Sequence, residues 1–217
     1  AGVALVNTGM TSGGWANDFD DSGNYIIHAA GSDGPTQAGG SVGKCFIVRT
    51  YNSSQTETNG VFPAHKKLDM STYNTNDLTR YVDATGNVYS GTGYLWFAPT
   101  GTGTTITAIT VSNGAVTGKK TFDTGKASGG GSDNYVQFYE TSDPTAMKCL
   151  MQLRGMGLYD VTLNVNAGTV TSCVQIPDQS GRINSASLGA HIFTLCGHKF
   201  LVRNTRSNGT NTYTEFE

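Results

Sequence analysis

Apolar residues occur along this chain in short runs, such as Phe46-Ile47-Val48, set between polar and glycine-rich stretches. Long stretches of Glu, Lys, Ala and Leu at helical spacing are missing. Runs this short, rich in β-branched and aromatic residues and bounded by turn formers, read as strands. The pattern predicts strands at 25–28, 44–51, 79–82, 93–97, 105–111 and 116–122, with a short one at 61–62. It continues with 134–139, 148–153, 159–165, 169–176, 191–195, 199–202 and 212–216. Asn113-Gly114 and Ala167-Gly168 supply tight turns between neighbouring strands. The glycine-rich segments 31–43, 91–103 and 125–131 read as flexible connections.

The strands carry a repeat. Lys44-Cys45-Phe46-Ile47-Val48-Arg49 returns as Lys148-Cys149-Leu150-Met151-Gln152-Leu153-Arg154 and as Lys199-Phe200-Leu201-Val202-Arg203, with Tyr94-Leu95-Trp96-Phe97 between the first two. Cys45, Tyr94, Cys149 and Phe200 stand 49, 55 and 51 residues apart. The stretch from Thr110 to Thr117 resembles that from Asn164 to Thr171 one period on. A period near fifty predicts an array of small sheets, each unable to bury its apolar face alone. The expected fold is therefore all-β, a β-propeller-like ring of about four small antiparallel sheets. The alternatives are a β-sandwich or a partial propeller from a longer chain. One domain over 1–217 holds repeats at roughly 20–76, 77–124, 132–178 and 186–217, and a strand at 3–7 is expected to complete the last sheet and close the ring. Core positions are expected at Phe46, Val48, Leu95, Phe97, Ile109, Leu150, Leu153 and Leu201. The start at Ala1 without a methionine reads as a processed end or a segment of a longer chain.

Composition narrows the classes of partner. Charged residues make up 14% of the chain and the net charge is -2, so the basic footprint of a nucleic-acid binder is missing. No apolar stretch approaches the length of a membrane span. The four cysteines, Cys45, Cys149, Cys173 and Cys196, are expected to be free. Cys45 and Cys149 occupy the same place in two repeats, too far apart for the roughly 7 Å limit between bridged Cα atoms. Free buried cysteines imply folding in a reducing cytosol.

Candidate chemistry is sparse. Asp18, Asp20 and Ser22, in Asp18-Phe19-Asp20-Asp21-Ser22-Gly23, open like a calcium loop. The closing carboxylate is missing, since Ala29 stands at the twelfth position. The rival reading is a polar turn, because Asp83-Ala84-Thr85-Gly86-Asn87 has the same form as Asp20-Asp21-Ser22-Gly23-Asn24. Calcium is thus a possible ligand, and no other cofactor is expected. His191, Cys196 and His198 lack a fourth ligand for zinc. No nucleophile elbow and no pair of carboxylates for acid–base work stands out. Arg49, Arg154 and Arg203 recur at strand ends and face solvent or bridge neighbours in this reading. The aromatics, Trp15, Tyr73 and Tyr89 among them, suit either a glycan platform or the core, and for Tyr94 and Trp96 the core is preferred. Asn52-Ser53-Ser54 and Asn208-Gly209-Thr210 match the glycosylation sequon at a frequency chance would supply. The longest polar excursion runs from 52 to 76 and carries Phe62, His65, Lys66, Lys67 and Tyr73. Loops beyond about 12–15 residues are often functional, so these five residues are the expected partner-contacting surface.

The Gly/Thr/Asn-rich strands, typified by 104–114, together with the low charge and unpaired cysteines, resemble in texture the structural and adhesin proteins of tailed-phage virions. The resemblance implies a non-enzymatic tail, fibre or adaptor component in an oligomeric assembly, folded in a host cytoplasm and carried on the virion. Its partners would be other virion subunits, or a host-surface receptor or glycan. The alternatives are an extracellular glycan-binding lectin module and a propeller-type glycosidase.

Overall fold

A computed structural model describes residues 16–28, 36–37, 40–41, 45–48, 65–68, 70, 82–129, 134–177, 190–195, 198–204 and 211–216. All regular structure among them is β. None contains a helix long and apolar enough to cross a membrane. The strands are β1 (Ala16–Phe19), β2 (Tyr25–His28), β3 (Thr36–Gln37), β4 (Gly40–Ser41), β5 (Cys45–Val48), β6 (His65–Leu68), β7 (Val82–Gly86), β8 (Thr92–Phe97) and β9 (Thr105–Ser112). They continue as β10 (Ala115–Asp123), β11 (Tyr135–Glu140), β12 (Met147–Leu153), β13 (Gly157–Asn164), β14 (Thr169–Gln175), β15 (Ala190–Leu195), β16 (His198–Asn204) and β17 (Asn211–Phe216).

They form sheets in the orders β1-β2-β5-β6, β10-β9-β8-β7, β11-β12-β13-β14 and β15-β16-β17, with β3 and β4 as a small separate pair. In the second and third sheets short connections join strands that pair in chain order as meanders, whereas in the first sheet longer segments, 29–44 and 49–64, separate β2 from β5 and β5 from β6. The chain is therefore all-β, built of small sheets. It divides into two compact units, one of 1–96 with 108–119 and the other of 97–107 with 120–217. In the first unit β1 lies against β7, and in the second β11 lies against β15. The opening strands of two sheets thus meet inside each unit.

The core is built from near-continuous buried runs, as in Leu95-Trp96-Phe97 and Cys149-Leu150-Met151. Leu95, Phe97, Ile109, Leu150 and Leu153, all expected inside, are at most 1% exposed. Trp96 is fully buried and its indole Nε1 donates to Thr85 Oγ1 at 2.9 Å, so the preferred core reading of this aromatic holds. The third sheet is buried on both faces: Cys149, Met151 and Val161 point one way and Leu150 and Leu158 the other. Its last strand, β14, is exposed at Thr169, Thr171, Ser172, Val174 and Gln175.

Several expectations change. Ala16–Phe19 is a strand paired with β2, with Asp18 opposite Ile26. The excursion from 52 to 76 contains β6, paired to β5 through Cys45↔Leu68 and Val48↔His65. Lys-rich His-Lys-Lys-Leu has poor strand propensity, yet edge strands accept lysine because one side meets no neighbour. Segment 91–103 is no flexible connection, since it holds β8. A Cβ on Gly93 would overlap Thr85 O and Val88 Cγ1, so this glycine is set by close backbone approach. The repeat is out of phase in its first member. Tyr94, Cys149 and Phe200 lie on the second strand of their sheets, whereas Cys45 lies on the third. The apolar run that occupies the second place there is Tyr25–His28. Asn113-Gly114 forms a two-residue turn with φ of 52° and 76°, the left-handed pair a type I′ hairpin requires. By contrast, Ala167-Gly168 belongs to a four-residue turn closed by Gly168 N donating to Asn164 O at 2.9 Å. Residues 3–7, 61–62 and 79–81 lie outside the described residues.

Candidate functional site

The densest polar cluster of the first unit grows from the β1–β2 turn. Gly23, at φ 76°, lets the chain reverse while its N–H donates to Asp20 O. Asp20 is 5% exposed, and its carboxylate gathers four donors. Oδ1 accepts from Ser22 N at 3.0 Å and Asn24 N at 2.8 Å, and Oδ2 accepts from Asn24 Nδ2 at 2.8 Å and Val88 N at 3.0 Å. A carboxylate offers about four lone-pair sites, and here each faces an N–H. These four bonds give the segment the hydrogen-bond geometry of a polar turn, with the Asp20 carboxylate at its centre. Asp21 accepts from Gly86 N at 2.7 Å, and Asn24 Nδ2 also reaches Asn87 Oδ1 at 3.2 Å. The two similar segments, Asp20–Asn24 and Asp83–Asn87, are thus tied to each other across 63 residues of chain. Among the described residues no three His, Cys, Asp or Glu side chains form a metal-binding group. The side chain of Asp18 lies outside the described residues.

A second tie is made by Lys66 on β6. Its ammonium donates to Tyr89 O at 2.6 Å and Asn113 O at 2.8 Å, and stands 4.3 Å from the centre of the Tyr89 ring. Two protons meet carbonyls and the charge meets an aromatic face. The docked hairpin tip completes the arrangement: Asn113 N donates to Gly91 O at 2.7 Å and Gly114 N to Val88 O at 2.9 Å. Lys66, one of the expected partner contacts, joins three segments of its own unit. His65 and Lys67 share β6 with it, but their side chains lie outside the described residues, as do Phe62 and Tyr73 altogether.

In the second unit, ionisable groups cluster on the third sheet. The Tyr139 hydroxyl donates to Asp160 Oδ1 at 2.5 Å, and Lys148 pairs with Glu140 at 3.1 Å. Tyr139 occupies the bulge between Phe138 and Glu140, which aims its ring toward β13. Burial, then the hydrogen bond to Asp160, hold the phenol far above its ordinary value. It is a proton donor at neutral pH and not a nucleophile. Burial likewise raises the Cys173 thiol, with Lys126 opposing and Asp160 reinforcing. Neither Cys149 nor Cys173 is in a disulfide. Asp143 accepts from Thr145 Oγ1 at 2.7 Å and Thr145 N at 2.8 Å, and these bonds lower its pKa. Arg154 is exposed at the β12–β13 turn, where its N–H donates to Asn134 Oδ1 at 2.9 Å. Asn134 in turn donates to Pro99 O at 2.8 Å.

Sequence reasoning singled out Asp20, as a calcium ligand or part of a polar turn, Lys66 as a partner contact and Tyr139 among the candidate aromatics, and it gave no role to the side chains of Asn24, Asn134 and Asp160. The similarity between Asp20–Asn24 and Asp83–Asn87 was the available signal for the first tie. No family model and no curated protein matches the chain.

Proposed function

We propose that this chain is a non-enzymatic structural or receptor-binding component of a virion, a tail, fibre or adaptor subunit acting through protein contacts. One observation carries the reading: its described aspartates serve architecture. Asp20, Asp21, Asp83, Asp123 and Asp143 each accept from backbone N–H groups, and Asp160 is bound by Tyr139. Carboxylates spent on loop geometry favour a rigid, low-charge scaffold whose exterior of hydroxyls and amides meets other subunits. Of the excursion residues, Phe62, His65, Lys67 and Tyr73 remain the proposed contact set, with Lys66 holding the strand that carries two of them. The test is affinity purification of the full chain from the particles or cells that produce it, followed by mass spectrometry. Recovery at fixed stoichiometry with capsid or tail subunits is expected. Recovery only as a free protein from a secreted fraction overturns the proposal.

A glycan-binding role is the second reading. Phe19 is 51% exposed and its ring lies 5.1 Å from that of Tyr25, beside exposed Ser22. An exposed Phe19 against a half-buried Tyr25, with a hydroxyl nearby in the chain, suits sugar stacking. Binding on a glycan array that Phe19→Ala abolishes would support it, and a blank array would remove it.

A further inference from the structure

We propose that Asn113-Gly114 is a deamidation site that the fold holds closed, with the 88–91 loop and Lys66 as its latch. In such a step Gly114 N attacks Asn113 Cγ. The new N–C bond forms as the Cγ–Nδ2 bond breaks, and the amide proton leaves with that nitrogen as ammonia. Water then opens the resulting five-membered imide at either carbonyl, giving aspartate or isoaspartate with no change of oxidation state. Glycine in the following position leaves the attacking nitrogen unhindered, because it carries no Cβ.

Exposure alone would mark this turn as labile, since Asn113 is exposed and its side chain meets water. The fold restrains the nucleophile instead. Gly114 N–H is bound to Val88 O at 2.9 Å and Asn113 N–H to Gly91 O at 2.7 Å. Lys66 Nζ holds Asn113 O at 2.8 Å and Tyr89 O at 2.6 Å, fixing the tip and its dock to one cation. The Lys66 stem lies so close that a Cβ on Gly114 would overlap its Cδ. Both turn residues keep positive φ, 52° and 76°. The attacking nitrogen must give up its hydrogen bond and swing toward Cγ, which requires the tip to undock. An isoaspartyl link adds one carbon to the main chain, so both amide bonds to the 88–91 loop cannot re-form. Conversion is one-way because the ammonia is lost.

The chain supplies its own references, because Asn59-Gly60 and Asn208-Gly209 are the same dipeptide outside the described residues. The full chain is incubated at mildly alkaline pH, folded and in denaturant, and all three sites are followed by peptide mass mapping. At Asn113 the folded rate is expected to be at least about tenfold below the denatured rate, the factor one ordinary hydrogen bond supplies. Equal rates in the two states overturn the proposal. Lys66→Met is expected to speed Asn113 in the folded protein and leave the folded rates at Asn59 and Asn208 as they were. An unchanged Asn113 rate in a folded Lys66→Met protein removes the latch role of Lys66. If that variant unfolds, all three sites rise together to their denatured rates, and the wild-type comparison alone decides.

Discussion

At the scale of single residues, the physics of this chain is that of satisfied polar groups. Asp20 shows it best, because a buried carboxylate is tolerable only when its desolvation is offset by donors. Removing it orphans the N–H groups of Asn24 and Val88, both of which bond to it in buried surroundings. Asp20→Ala is expected to destabilise the protein by about 2–4 kcal/mol, since each buried unsatisfied donor costs about 1–3 kcal/mol. Asp20→Asn preserves one oxygen but turns an amide donor toward its former partners, and about half that loss is expected. Urea unfolding of the full chain measures both, and an Asp20→Ala variant as stable as wild type would refute the capping role. Tyr139 gives the pH dependence. Its folded pKa is raised by burial and by Asp160, so the neutral phenol's contribution is complete below the unfolded value of about 10. It is lost as pH rises beyond that value, because the unfolded chain then releases a proton the folded chain keeps. Stability should fall with pH above about 10, and Tyr139→Phe should flatten that fall. A wild-type slope retained in Tyr139→Phe would assign the effect to other groups.

Elements show where local pattern suffices and where tertiary contacts override it. Strands β8 to β14 were legible to within a residue or two, because their short apolar and β-branched runs are bounded by glycine and polar turns and Asn113-Gly114 announces its turn. β1 was hidden: Ala16-Asn17-Asp18-Phe19 lacks β-branched residues, and its acidic pattern reads equally as an ion loop. β6 was hidden because Lys-Lys argues against a strand until an edge position excuses it. The phase slip of Cys45 has the same origin, as Tyr25–His28 and Cys45–Val48 are both apolar runs and only hydrogen bonding ranks them within the sheet. The tie of Asp20 to Val88, 68 residues away, had only the likeness of Asp20–Asn24 to Asp83–Asn87 as its signal, and those of Lys66, with partners 23 and 47 residues away, had none. Gly93 tests the override. Its missing Cβ lets β8 approach Thr85 and Val88, so Gly93→Ala should cost about 1–3 kcal/mol through overpacking. Val174, 61% exposed on β14, is the contrast. Val174→Lys should change stability by no more than about 0.5 kcal/mol, and a larger loss would mean that β14 is covered.

For the whole molecule, the state of the cysteines links architecture to the compartment of folding. Cys149 and Cys173 face the same residue, Val161, from opposite sides on β12 and β14. Neighbouring strands stand about 4.8 Å apart, so these two Cα atoms are separated by roughly 9.6 Å across β13. A disulfide tolerates no more than about 7 Å, and joining them would require β13 to leave the sheet it centres. Their thiols are also poor reactants, Cys149 through full burial and Cys173 through a pKa raised by its surroundings. Small all-β domains that mature in oxidising compartments commonly staple their sheets; here apolar cores and the Asp20 and Lys66 ties hold them. The expected outcome is that thiol titration of the denatured chain, purified without reductant, finds four reactive groups, and that the folded chain reacts far more slowly at Cys149 and Cys173. Two groups or fewer in the denatured chain would show that a disulfide forms. The inference of folding in a reducing cytosol, on which the virion reading leans, would fall with it.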